Sequence, residues 1–194
     1  MFPALPALPA KFQSKVNGEL KPGESIVWAG QPNPNKMMFK AFGLWLFFIP
    51  WTAFAVFWIV MAGGLSLLGG TQGVFSFFPL FGIPFVLIGI GGLLSPIWKR
   101  MDAVRTVYVI TNQRVLTISG IFGTKYKSYY PEQINFVERK ENSSGSGNLI
   151  FSRESYRDSQ GSNRTKEEGF YAVQNVKTVE THLENLLHNN RNRQ

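Results

Sequence analysis

The 194-residue chain contains no cysteine. That excludes a disulfide scaffold, thiolate metal sites, iron–sulfur clusters and a cysteine nucleophile. Histidine is nearly absent too: His182 and His188 are the only two. Six residues apart on a helical stretch, they point about 120° away from each other, which suits neither a shared metal nor an acid–base pair. The sequence also lacks a GxSxG elbow, an HExxH helix, a phosphate-cradling Gly-Lys loop and a paired Asp-x-Asp. Catalysis is therefore not expected, nor is a cofactor or a metal. The largest gap is in charge. Between Lys40 and Lys99 run 58 consecutive residues without Asp, Glu, Lys, Arg or His. A soluble domain is about one quarter charged, so this stretch excludes an ordinary globular chain.

That stretch divides the sequence into an arm (1–36), an apolar segment (37–98) and a carboxyl-terminal domain (101–190). A bilayer core needs about 20 apolar residues per helix, and the segment is long enough for two, at about 38–62 and 77–98. Between them, Gly63-Gly64-Leu65-Ser66-Leu67-Leu68-Gly69-Gly70-Thr71-Gln72-Gly73 holds five glycines, a composition that breaks helices and permits reversal. The expected form is a transmembrane helical hairpin. Lys36 and Lys40 precede it, Lys99, Arg100 and Arg105 follow it, and the loop has no basic residue. By the positive-inside rule both termini are cytoplasmic, in a plasma (inner) membrane crossed twice. Six prolines and five lysines in the first 40 residues argue against a cleaved leader. Pro50, Pro79, Pro84 and Pro96 are expected to kink or end helices. Gly91 and Ser95 have the small-xxx-small spacing of a close helix contact. With no ionisable group inside the segment to form a proton or ion path, the hairpin reads as an anchor.

The arm opens with a Pro-Ala-Leu repeat at residues 3–10, expected to be extended or disordered. After the turn signal Pro22-Gly23, the run Ile26-Val27-Trp28 is β-prone and suits a strand packed on the cytoplasmic domain. In that domain, Arg105–Thr111 and Arg114–Ser119 form a hairpin across Asn112-Gln113. Further strand-like runs follow at 124–130, 134–139, 148–152 and 169–173, with a polar loop at 157–166. The period then changes: Val176, Val179, Leu183, Leu186 and Leu187 share one helical face. The fold class expected is α+β: a two-helix transmembrane hairpin followed by a small antiparallel β-barrel or sandwich of about six strands, closed by a carboxyl-terminal helix that protects an edge.

Three stretches add a resemblance. Gly23-Glu24-Ser25-Ile26-Val27-Trp28 precedes the hairpin, Tyr108-Val109-Ile110-Thr111-Asn112-Gln113-Arg114-Val115 follows it, and Gly169-Phe170-Tyr171-Ala172-Val173-Gln174-Asn175 opens the final helix. In this order the chain resembles the bacterial pleckstrin-homology-like (PH-like) membrane proteins over about residues 18–190. The resemblance implies a PH-like fold and a membrane location. It also implies head-group binding through basic residues of the first strand–loop–strand, here Arg114 and Arg105, although the tight Asn112-Gln113 turn lacks a long basic loop.

The residues themselves add Lys125 and Lys127 on one strand face, and Arg153 beside the second polar loop. Candidate lipid or partner contacts are thus Arg105, Arg114, Lys125, Lys127 and Arg153. Net charge is +3 over residues 1–40 and +5 over 99–194, and juxtamembrane cations gain about 1 kcal/mol each against an anionic leaflet. The expected partners are the bilayer itself, anionic lipid head groups, and another membrane or cytoplasmic protein. Nucleic acid is not expected, because the basic residues neither cluster densely nor alternate with exposed aromatics. The function expected is a membrane-anchored binding or scaffold protein. The alternative is an oligomeric transport or channel subunit.

Overall fold

The computed structural model describes residues 9–68 and 79–192. Positions 69–73 of the glycine-rich loop and 3–8 of the Pro-Ala-Leu repeat lie outside them. The chain forms two units, one from residues up to Pro34 together with those from Met101 onward, the other from Asn35–Arg100.

In the second unit, α3 (Phe42–Leu68) follows the short α2 (Pro34–Phe39), and α4 (Ile83–Leu93) precedes α5 (Ser95–Val104), which runs on into the first unit. The expected break at Gly63-Gly64 does not occur, and α3 continues to Leu68. Each glycine weakens a helix by about 1 kcal/mol but keeps its N–H, so the hydrogen-bond ladder runs through. Among the described residues one helix, Phe42–Gly64, is by itself long and apolar enough to cross a membrane. Where the second span was expected, at about 77–98, the described residues form a bent pair, Pro79–Leu93 and Ser95–Val104, angled by 44°, and the expected proline kink falls at its joint. Pro96 supplies no N–H and disfavours helical geometry at the residue before it, so the chain bends there.

Close contact between α3 and α4 also differs from expectation. A Cβ on Gly91 would meet nothing within 4 Å. On Gly89 it would come within 2.3 Å of the Thr52 hydroxyl oxygen, and on Gly92 within 2.0 Å of the Phe48 ring. Gly89 and Gly92 are three apart and share a face, whereas Gly91 is turned about 100° off it. The Trp51 indole N–H donates to the Phe85 carbonyl oxygen at 3.1 Å across the same seam.

The first unit contains α1 (Ala10–Glu19), β1 (Ile26–Gly30), β2 (Val107–Thr111), β3 (Val115–Ser119), β4 (Lys125–Tyr129), β5 (Glu138–Glu141), β6 (Gly147–Arg157), β7 (Asn163–Val173) and α6 (Val176–Arg191). Among the described residues six strands come from the carboxyl-terminal domain, and β1, the strand expected at Ile26-Val27-Trp28 of the arm, pairs with β2 as a seventh. They form a four-stranded sheet in the order β1-β2-β3-β4 and a three-stranded sheet β5-β6-β7, all antiparallel. The barrel is not closed. Between β4 and β5 the chain passes through Pro131 and a one-turn 3-10 helix, Pro131–Gln133, and makes no pairing that would join the sheets. Two strands outrun the loop expected at 157–166, since β6 and β7 stay paired as far as Arg157 and Asn163.

One core lies between the sheets and α6. Tyr108, Ile110, Val115, Leu149, Phe151 and Phe170 meet Val176, Val179, Leu183 and Leu186 of the helix, with Leu187 at the margin. Phe170 is stacked with Tyr108 at 4.6 Å and Trp28 at 5.7 Å, and Phe151 meets it edge-on at 5.3 Å. Asn175, in the left-handed region at φ 48°, turns the chain from β7 into α6, a conformation Asn tolerates better than most residues. The opposite face of the four-stranded sheet has its own core: Phe12 and Val16 of α1 cover Ala29, Val107, Val109, Leu116 and Ile118. This second layer explains why all five positions of β2 are buried.

Candidate functional site

Helix α1 has two stripes. Phe12 and Val16, four apart, are buried against the sheet, while Lys11 and Lys15, one residue before each, are exposed beside them. This offset carries both ammonium groups to the edge of the sheet, where β3 turns into β4. There the two lysines, Arg105 and residues 118–124 line a concavity of about 410 Å³. No Asp or Glu lines it.

The floor of the pocket is a tight turn. Gly120 adopts φ 138°, and a Cβ there would lie 1.8 Å from the Gly123 carbonyl oxygen, so only glycine fits. The turn carries Phe122 at its tip, 91 % exposed. The cations rest on neutral acceptors. Lys11 Nζ donates to the Val104 carbonyl at 3.1 Å, Lys15 Nζ to the Thr124 hydroxyl at 2.9 Å, and Arg105 Nη1 to the Ile121 carbonyl. Among the described residues none of the three is ion-paired, so three positive charges face the cavity uncompensated.

The residues singled out from sequence are spread over different environments. Arg105 is one wall of the pocket. Lys125 begins β4 just beyond it, exposed and without an ion pair among the described residues. Lys127 pairs with Glu168 of β7, and Arg153 pairs with Glu138 and Glu167 while lying over the Phe136 ring at 5.1 Å. Arg114 is buried. Its guanidinium grips Glu24 through Nε at 2.9 Å and Nη2 at 3.0 Å, and also donates to Ser128 Oγ and the Glu19 carbonyl. Glu24 further accepts from the Thr111 hydroxyl and the Lys21 amide, both at 2.8 Å. Burial pushes the Glu24 carboxyl up, but the bonds from Arg114, Lys21 and Thr111 outweigh it and hold it below the ordinary carboxylate value. This network ties the arm to the β2–β3 turn.

Lys11, Lys15 and Phe122 escaped the sequence reading. Two signals mark them: the i, i+4 lysines interleaved with Phe12 and Val16, and Ile121-Phe122 standing between Gly120 and Gly123 in an otherwise polar connection.

A second concavity of about 280 Å³ lies within the apolar unit, lined by Trp51, Phe54, Ala55, Trp58, Phe81, Gly82 and Phe85. A third, about 260 Å³, is polar and runs from Asn112 to Asn190 past Tyr130 and Glu132. Among the described residues no three His, Asp or Glu side chains are placed to hold a metal ion. The pocket beside β3–β4 offers concentrated positive charge and no lining carboxylate, an arrangement whose electrostatics favour an anion.

A family model described as bacterial PH domain matches residues 44–187. No curated protein and no solved structure matches the chain.

Proposed function

The chain belongs to the bacterial PH domain family, and from that premise we propose that it is a non-catalytic, membrane-anchored binding module. Its PH-like unit works at the cytoplasmic face of the bilayer. One observation carries this reading: α3 is apolar on every side, and only 6 % of an 18-residue window within its Phe42–Gly64 stretch is buried within the fold. A core helix of a water-soluble protein would be wrapped by other elements, whereas lipid is the solvent that accepts such a surface. The bent pair formed by α4 and α5 is the second crossing, which returns the chain to the side on which it began. The cations flanking the segment agree, because Lys36, Lys40, Lys99 and Arg100 would all lie on the cytoplasmic side.

The place of the insertion supports the same reading. The apolar unit interrupts the domain between β1 and β2, which are paired neighbours in the sheet. The PH-like unit is thereby joined to the apolar unit through two strands that are neighbours in one sheet. The reading is tested by extracting native membranes with alkaline carbonate. Retention of the chain in the membrane pellet, with release only by detergent, is the expected outcome. Release into the carbonate supernatant would overturn it.

A further inference from the structure

We infer that the free edge of β4, overhung by the outer half of the β6–β7 ribbon, takes up an extended acidic segment of another protein as an added strand. This deepens the proposed function by naming a partner class for the binding module, and it rests on that reading. The first observation is the edge itself. β4 is hydrogen-bonded to β3 on one side and, among the described residues, to no strand on the other. Such an edge presents unpaired N–H and C=O groups to any extended chain laid beside it. The edge of β5, by contrast, lies against α6, whose Glu180 holds Arg139.

The second observation is the ribbon. β7 crosses the first sheet: Phe170 packs on Trp28 of β1 and Tyr108 of β2, and Glu168 is ion-paired with Lys127 of β4. Residues 163–167 therefore continue past β4, paired with 153–157 of β6. Positions 153–157 and 163–166 are all exposed, and a two-stranded ribbon standing alone is only marginally stable in water. Directly opposed residues share a face, so Glu154 with Lys166 and Tyr156 with Arg164 look the same way as Glu168, over the space beside β4. Charge then selects the occupant. Lysine fills two of the five positions of β4, a pattern that repels a second copy of the same edge. Lys127 and Lys166 are both paired with Glu168, and Arg164 with Asp158. Lys125 is exposed and, among the described residues, has no ion pair. A carboxylate on the added strand would supply it. Tyr126, 43 % exposed, and Tyr156, 50 % exposed, add the aromatic contacts that anchor binding surfaces.

The full chain in detergent is titrated with short fluorescein-labelled peptides, one alternating Glu with Val and the other Lys with Val, and read by fluorescence anisotropy. Saturable binding of the acidic peptide alone is expected. N-methylation of its amides, which keeps the charges but removes the main-chain donors, should abolish binding. Lys125→Glu should weaken the acidic peptide about tenfold and admit the basic one, a gain that a misfolded variant would not show. Absence of binding, binding that survives N-methylation, or binding indifferent to Lys125→Glu would overturn the site. Capture of the purified chain as a disulfide-linked dimer through Lys125→Cys would give the edge to a second copy and overturn the assignment to a foreign strand. Retention in the carbonate pellet without peptide binding defeats this site alone, whereas release by carbonate with peptide binding intact defeats the anchoring alone.

Discussion

Glu24 and Arg114 are 90 residues apart in sequence and meet as a buried, doubly bonded ion pair in which each carboxylate oxygen accepts one further bond, from Thr111 or Lys21. Removing one partner strands the other charge away from water, which costs about 3–5 kcal/mol. Glu24→Gln should therefore lower the unfolding midpoint of the detergent-solubilised protein sharply, and Glu24→Met with Arg114→Met should recover much of the loss. The pH dependence follows from the same pair. The folded carboxyl titrates below its ordinary value of 4.5, so its stabilisation is complete above that value. It is lost as pH falls through the lower folded value. Midpoints recorded across the acid range should slope for the native chain and be flatter for Glu24→Gln. A basic residue next to a hairpin turn reads locally as a ligand contact, and nothing near Arg114 in the sequence announces a partner in the arm. Lys127 and Arg153 are similar cases, since Glu168 on one side and Glu138 with Glu167 on the other come into reach only once the strands are registered.

At the scale of elements, the apolar segment and α6 were legible because each rests on a one-dimensional pattern, absence of charge in one and a 3.6-residue period in the other. Helix α1 was harder to see because it is short, and its apolar stripe is only Phe12 and Val16. The signal for it lies in its partner: β2 reads Val-Tyr-Val-Ile, and a strand apolar on both faces demands a layer on each side. Phe12→Ala should cost about 3–5 kcal/mol, read as a lowered unfolding midpoint. The helix seam was misread because small residues four apart were weighed without knowing which face turns inward. Cysteines at positions 52 and 89 should cross-link on mild oxidation in membranes, since a Cβ at Gly89 lies 3.1 Å from that of Thr52. Adding Gly92→Leu, which drives a side chain into Phe48, should suppress the cross-link. Undiminished cross-linking would show that this seam does not hold α3 against α4.

For the molecule as a whole, the sequence pattern located the apolar segment but could not show that it interrupts a sheet. Only the pairing of Trp28, Ala29 and Gly30 with Ile110, Val109 and Tyr108 reveals that the strand before the segment and the strand after it are neighbours. The central claim of the proposed function is that lipid surrounds α3 and the bent helix pair after it as two crossings, with the loop between them outside and the PH-like unit inside the cell. The absence of native cysteine makes the decisive measurement simple. Single cysteines are introduced at Gln72 and at Ser159, and intact cells are treated with a membrane-impermeant maleimide. Labelling at position 72, with position 159 labelled only after the cells are opened, is the predicted result. Labelling at position 159 in intact cells would contradict it.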